Sequence, residues 1–257
     1  MGTRAFDRCD DLAVDFFRAH GWVLVTALDE DGTACLRGWV DELATWPDDG
    51  ELLHYREMTD DGPKLCRTEN FVPFHAGMRE LLTTGTLPET AGALLGEAAV
   101  LYKEKVNYKA VGGAGFAAHQ DAPAYPFVRT HVSCMLAVDD ASIDNGCLEV
   151  VDGMHGELLP TDERGCIPDD VAVALAWEPV EVPAGGVLWF HSRLPHRSGA
   201  NASARDRRAL YPTYNARSDG DLRAAYYRTK REELANRDTG DGRVSLSLIG
   251  DFQGRSV

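Results

Sequence analysis

The chain has no CxxC pair, no long apolar run and no surplus of basic residues, and each absence closes off a class of protein. Its 6 cysteines are scattered at positions 9, 35, 66, 134, 147 and 166. That spacing makes neither a disulfide framework nor a zinc knuckle. Those inside apolar runs such as SCMLAV and GCLEVV read as small buried hydrophobes. No stretch approaches the roughly 18 apolar residues of a membrane span, and the N-terminus MGTRAFDRCDDLAVDFF lacks the apolar core of a secretory leader. A reduced, cytoplasmic protein is expected. A net charge of −15 argues against a nucleic-acid partner or an anionic membrane surface, because phosphate binding wants clustered Lys and Arg. It leaves room for a small anionic substrate, which needs only a few local cations. No repeat, low-complexity block or Pro/Ser-rich linker divides the 257 residues, so a single domain is expected.

What is present changes texture along the chain. Residues 1–97 read as a mostly helical N-terminal layer. FDRCDDLAVDFFRAH, GTACLRGWVDELATW and MRELLTT carry apolar residues at helical spacing, ETAGALLGEA more weakly, and WVLVTAL reads as a strand. Residues 98–216 hold short β-type runs, AVLYKEKVNYKA, THVSCMLAV, GCLEVV, EPVEVP, GVLWFHS and RRALYPTYNA, separated by Gly, Pro, Asp and Asn. Strands without intervening helices indicate an antiparallel sandwich or barrel. GDLRAAYYRTKREELANR in 217–257 reads as a closing helix followed by a tail. The predicted fold is an all-β core with helical additions.

One stretch, GFAAHQDAPAY, sets His119 and Asp121 one residue apart. With 8 His and 41 acidic residues in the chain, about one His-x-Asp/Glu is expected by chance, and a second exists, His155 and Glu157 in a Gly-flanked turn. The surroundings must therefore decide. On a strand, residues i and i+2 share a face and could hold one ion. The third ligand could be His131, His155, His191 or His196. Two His and one carboxylate on one octahedral face leave three positions open, the arrangement of non-haem Fe(II) oxygenases. A 2-oxo acid fills two of these and O2 the third. Its far carboxylate wants a bidentate guanidinium with a nearby hydroxyl, and Arg207 and Ser198 follow His196 with suitable residue types. VGGAG lacks the GK[ST] and helix of a phosphate-cradling loop.

Segment 98–216 resembles the phytanoyl-CoA dioxygenase family of iron(II)/2-oxoglutarate oxygenases. Its members carry His-x-Asp, an NGCL.V..G.H turn, then a distal His with Ser two residues and Arg eleven residues later. HQD at 119–121, NGCLEVVDGMH at 145–155 and HRSGANASARDR at 196–207 arrive in that order. The resemblance implies a double-stranded β-helix (jelly roll, cupin-like), with His119, Asp121 and His196 as iron ligands. It implies Arg207 with Ser198 as binder of the 2-oxoglutarate C5 carboxylate, and Asn107 as a further amide on the cosubstrate. Arg207 and Arg208 face opposite sides of a strand, and the family spacing picks Arg207. Halogenating relatives have a small residue where Asp121 stands, so hydroxylation is expected, with Fe(II), 2-oxoglutarate and O2 consumed and succinate and CO2 released. A non-catalytic cupin-like metal protein is the reading from another class.

Within the family, KEKVNYK, GFAAHQDAPAY, TYNA, GDLRAAYY and SLIGDFQG are similar to the small bacterial 2-aminoethylphosphonate hydroxylases. That resemblance implies a small organophosphonate hydroxylated at C1; another small polar metabolite, amino-acid-like or from a natural-product pathway, is the alternative. A phosphonate needs two or more cationic or N–H donors, and Lys105, Lys109, Arg129 and His131 are candidates. An amine would want an aromatic face, and Tyr108, Tyr125 and Tyr214 are available. Each also has a structural reading: Lys103, Lys105 and Lys109 as a solvated strand edge, Arg129 as an exposed strand start, His131 as a satisfied core residue, Tyr125 as loop packing.

Overall fold

A computed structural model describes residues 5–48, 50–125, 128–236 and 244–257. The sequence rules place the first helices. Asp10 caps α1 (Asp11–His20) by accepting from the backbone N–H groups of Leu12 and Ala13, and Gly21 closes it in the left-handed conformation, as helix ends require. β2 (Trp22–Thr26) follows, then α2 (Glu30–Thr45), α3 (Ala76–Thr83) and α4 (Thr86–Leu95).

The expectation that residues 1–97 are mostly helical needs correction. β1 (Ala5–Phe6), β2, β3 (Leu53–Thr59) and β4 (Gly62–Glu69) all come from this region and join the main sheet. The β3–β4 hairpin turns at Asp60-Asp61-Gly62, where Gly62 has φ 101°, a turn signal hidden among charged side chains.

Downstream lie β5 (Ala99–Lys109), β6 (Phe116–His119), β7 (His131–Ala137), β8 (Leu148–Val151), β9 (Trp177–Val180), β10 (Gly186–His191), β11 (His196–Ser198) and β12 (Arg207–Ala216). A short helix, α5 (Asp169–Ala172), precedes β9, and α6 (Arg223–Asn236) follows β12. The last residue of the expected closing helix, Arg237, lies outside the described residues. Among the described residues no helix is long and apolar enough to cross a membrane.

The strands form two sheets, an eight-stranded one in the order β1-β2-β10-β7-β12-β5-β4-β3 and a four-stranded one in the order β6-β11-β8-β9. This is the double-stranded β-helix with helical additions. Between the sheets, Trp22, Leu24, Met135, Leu148, Val150, Leu188 and Phe190 form one core. On the outer face of the large sheet, α2, α3 and α4 contribute Leu36, Val40, Leu43, Met78, Leu82 and Ala91 to a second core, against Val106, Leu136, Trp189 and Leu210.

Strand periodicity sorts the residues between these layers. On β12, Leu210 and Tyr214 face the helices, while Arg207, Tyr211 and Thr213 line a pocket between the sheets. On β5, Val106 and Tyr108 face the helices, and Lys103, Lys105, Asn107 and Lys109 line the pocket. The pocket is thus a by-product of period two on two neighbouring strands.

Candidate metal centre and pocket

β6 and β11 are antiparallel neighbours with His119 directly opposite His196, so pairing alone brings two imidazoles together. Their ring centroids are 4.2 Å apart. Each ring is oriented by a carbonyl two residues earlier: His119 Nδ1 lies 2.7 Å from Ala117 O, and His196 Nδ1 lies 3.0 Å from Leu194 O. With Nδ1–H donated there, Nε2 keeps its lone pair, which is the tautomer a metal needs. Burial and the neighbouring His119 hold His196 down at about 4, so it is neutral at physiological pH.

Asp121 reaches the same place by a different route from the one strand alternation suggests. β6 stops at His119, and Asp121 has helical backbone angles at the head of a 3₁₀ turn over Ala122–Ala124. Gln120 points the other way, where its amide donates to Glu157 O and Arg193 O and accepts from Leu159 N. Ser133 Oγ donates to Asp121 Oδ2 at 2.8 Å and also contacts Thr213 Oγ1 at 2.9 Å. Burial would raise the Asp121 carboxyl, but His196, Lys103 and His119 outweigh it and hold it well below the usual carboxylate range. One ligand atom each from His119, Asp121 and His196 lies within 4.8 Å of the others. Two imidazoles and an ionised carboxylate could hold a divalent ion, and the donor set fits non-haem Fe(II).

At one end of the pocket Arg207 is 1% exposed. Its Nη2 donates to Gly146 O at 2.6 Å, while Nε and Nη1 have no partner. Buried guanidinium N–H donors left without an acceptor fit an anion such as a carboxylate. Lys109 stands beside it, but its ammonium donates to Gly146 O, Ser198 Oγ and Gly199 O at 3.1, 3.0 and 2.6 Å. Gly146 has φ 73°, and a Cβ there would lie 2.3 Å from Gly199 O. The NGCL turn is therefore a glycine requirement that puts one carbonyl under both cations. Asn107 presents its amide between the two ends of the pocket, with Oδ1 accepting from Arg67 Nε at 3.0 Å.

A match to the phytanoyl-CoA dioxygenase model covers residues 17–209. The chain belongs to the phytanoyl-CoA dioxygenase family. It is 47% identical over 249 residues to a "Methylphosphonate hydroxylase" of Gimesia maris, covering 95% of this chain and 96% of that one. It is 39% identical over 205 residues to a "2-aminoethylphosphonate dioxygenase" of an uncultured bacterium, covering 77% and 78% of the two chains. Among solved structures, EctD from S. alaskensis with 2-oxoglutarate and 5-hydroxyectoine shares the fold at a TM-score of 0.72 and 19% identity, covering 85% of this chain and 80% of that one. The family makes the chain a dioxygenase whose cofactor and cosubstrate are iron and 2-oxoglutarate.

Within this family fold, the remaining sequence candidates separate. Lys105 lines the pocket beyond the triad, 5.3 Å from the Tyr211 ring centroid and without a hydrogen bond among the described residues. Burial, Arg67 and Lys103 hold its ammonium well below the usual lysine range. The solvated-edge reading of β5 fails, because its even-spaced lysines face inward. Tyr125 is buried and accepts from Lys103, and His131 packs against its ring at 5.2 Å; neither lines the pocket. Arg129 is a correction: its side chain is 77% exposed and pairs with Asp219 at 2.8 Å. Tyr214 is a second, since strand alternation turns it to the helix layer, where its hydroxyl donates to Leu82 O. Tyr108 faces the same layer. His155 packs against His191 and Gly21, away from the triad. Arg208 points outward and binds Asp139 and Asp41.

Sequence reasoning missed Ser133, Arg67 and Asp251. Ser133 was legible in part, lying two residues from His131 on an inward strand face. Asp251 lies in SLIGDFQG, one of the stretches similar to the 2-aminoethylphosphonate hydroxylases, but nothing local marked it as a pocket residue, because only the folded tail brings it there.

Proposed function

We propose that the protein hydroxylates a small organophosphonate at the carbon bearing phosphorus. One oxygen atom of O2 enters the substrate C–H bond as hydroxyl, and the other enters succinate as 2-oxoglutarate loses CO2. The observation that carries this reading is the three-part pocket: a two-His, one-carboxylate centre, a half-satisfied buried guanidinium at one end and an unpaired lysine at the other. The relatives' names supply the substrate class. A non-catalytic metal protein would leave the unpartnered Nε and Nη1 of Arg207 without purpose.

In this reading His119, Asp121 and His196 hold iron, whose chemistry when bound is the coupling of 2-oxoglutarate decarboxylation to C–H oxidation by O2. Arg207 grips the C5 carboxylate, helped by Ser198, and Asn107 turns its amide N–H groups toward the cosubstrate. Lys109 acts as a strut for this end, since its three hydrogen bonds leave little for a substrate. Lys105 takes the phosphonate, its desolvated ammonium gaining most from an anion. Ser133 holds Asp121 Oδ2 and so fixes the direction of Oδ1, which would be free to hold the metal. Phe116, Leu148 and Phe190 line the same space and keep it dry, which strengthens each of these contacts. The chain does this as one domain.

The test incubates the iron-loaded protein with 2-oxoglutarate, O2 and a panel of phosphonates, followed by phosphorus NMR and succinate assay. A new resonance with matching succinate is expected. Succinate release stimulated only by phosphorus-free compounds would overturn the substrate class and keep the oxygenase.

A further inference from the structure

The pocket beyond the triad carries both signs of charge. After α6 the tail runs back across the site. Ala117 N donates to Asp251 O at 2.7 Å, Gln253 N donates to Gly115 O at 3.1 Å, and Phe252 bridges Phe116 in antiparallel register. The tail therefore lies along β6 and sets Asp251 beside His119, with Oδ2 3.5 Å from His119 Nε2. Asp251 is 3% exposed and lines the pocket, and its Oδ1 has no hydrogen-bond partner. Its carboxyl acts electrostatically on Lys103 and Lys105, and beside His119 it stands on the triad side of the pocket.

A carboxyl and an amine line the same buried pocket, and no ion pair within 4.0 Å joins Asp251 to a lysine or arginine among the described residues. Leaving a carboxylate oxygen buried without a donor is costly, and a ligand that brings the donor recovers that cost. Lys105 answers the phosphonate. A carboxylate beside it answers a cation and repels a second anion. The two relatives' names part on this feature, one substrate carrying an amine and the other none.

We propose that Asp251, delivered by the C-terminal tail, is the specificity residue that favours phosphonates bearing a cationic nitrogen one carbon beyond the reacting carbon. This rests on the phosphonate reading above. The amine donates to Oδ1 while Lys105 holds the phosphonate oxygens, so the substrate spans the two charges.

The test compares 2-aminoethylphosphonate with n-propylphosphonate, which replaces the ammonium by a methyl group at equal size. Calorimetric binding to the anaerobic protein loaded with iron and 2-oxoglutarate is measured beside kcat/KM. The wild type is expected to prefer the amine by roughly tenfold or more, and Asp251→Asn to lose most of that ratio, as when one partner of a buried charge pair is removed. Asp251→Glu should restore part of it. An Asp251→Asn protein that loses both compounds equally, or loses iron, would assign Asp251 to the metal centre and overturn the proposal. So would a wild type that binds the propyl compound as well as the amine, a comparison that needs no variant to fold. Binding of neither compound would sink the phosphonate reading and this inference with it, whereas binding of both at equal strength sinks this inference alone.

Discussion

At the scale of single residues, one hydrogen bond settles an ambiguity that an amide otherwise leaves open. Arg67 Nε donates to Asn107 Oδ1, so the Asn107 amide must turn its N–H groups toward the pocket. Asn107→Asp is therefore expected to keep or raise thermal stability, by placing a carboxylate against Arg67. It should weaken 2-oxoglutarate about tenfold or more, by removing the donors and adding a like charge. Thermal unfolding and an anaerobic titration followed by the visible charge-transfer band measure the two effects separately; parallel loss of both would make Asn107 merely structural. Arg207 and Arg208 offer a matched contrast. Arg207→Ala should weaken 2-oxoglutarate roughly a hundredfold, as a charge-assisted bidentate contact of about 3 kcal/mol implies. Arg208→Ala should leave that affinity alone and cost about 1 kcal/mol of stability, since its pairs with Asp139 and Asp41 are partly exposed. The reverse order would flip the facing of β12.

At the scale of elements, the site depends on turns as much as on strands. The turn before β8 exists to place the Gly146 carbonyl, which serves Arg207 and Lys109 together. Gly146→Ala meets both a positive φ and the Gly199 carbonyl at 2.3 Å. It is expected to cost roughly 2–4 kcal/mol, the range of strained or overpacked sites, and to weaken 2-oxoglutarate more than Gly199→Ala, where a Cβ meets nothing within 4 Å. Chemical denaturation and cosubstrate titration of the two variants check this. Equal effects would mean that the turn is only a connection. The tail is the second such element. Buried Arg67 donates to Leu246 O at 2.8 Å, and Lys230 on α6 pairs with Glu69 on β4. This charge network ties the tail and α6 to the large sheet.

At the scale of the whole molecule, stability should depend on pH through histidines buried away from the metal ligands. Burial holds His131 down at about 3 and His191 at about 4, against about 6.5 in an unfolded chain. For a base with a depressed folded pKa the unfolded state takes the proton first, so stability is complete above about pH 6.5 and falls as pH drops toward 4. Each histidine contributes up to about 1.4 kcal/mol per pH unit in that window. Urea unfolding of the metal-free protein at a series of pH values should show the decline, and His131→Phe should make it shallower. An unchanged slope in that variant would mean that His131 is protonated in the folded protein.

The sequence by itself determined the β core and picked out the three residues that could hold a metal. Period-two patterning marked the strands, and HQD, the NGCL turn and the Ser and Arg spaced after His196 are local in the chain. Strand alternation let only one of Arg207 and Arg208 face inward, and the family spacing after His196 picked Arg207. Tertiary structure decided what depends on partners distant in sequence. It put β2, already legible as a strand, and the β3–β4 hairpin, whose alternation charged residues had hidden, into the large sheet. It turned Lys105 inward, sent Tyr214 and Arg129 away from the pocket, and carried Asp251 from the tail to the side of His119. A residue's face follows from local backbone period, but which face becomes the pocket follows only from what packs against the other one.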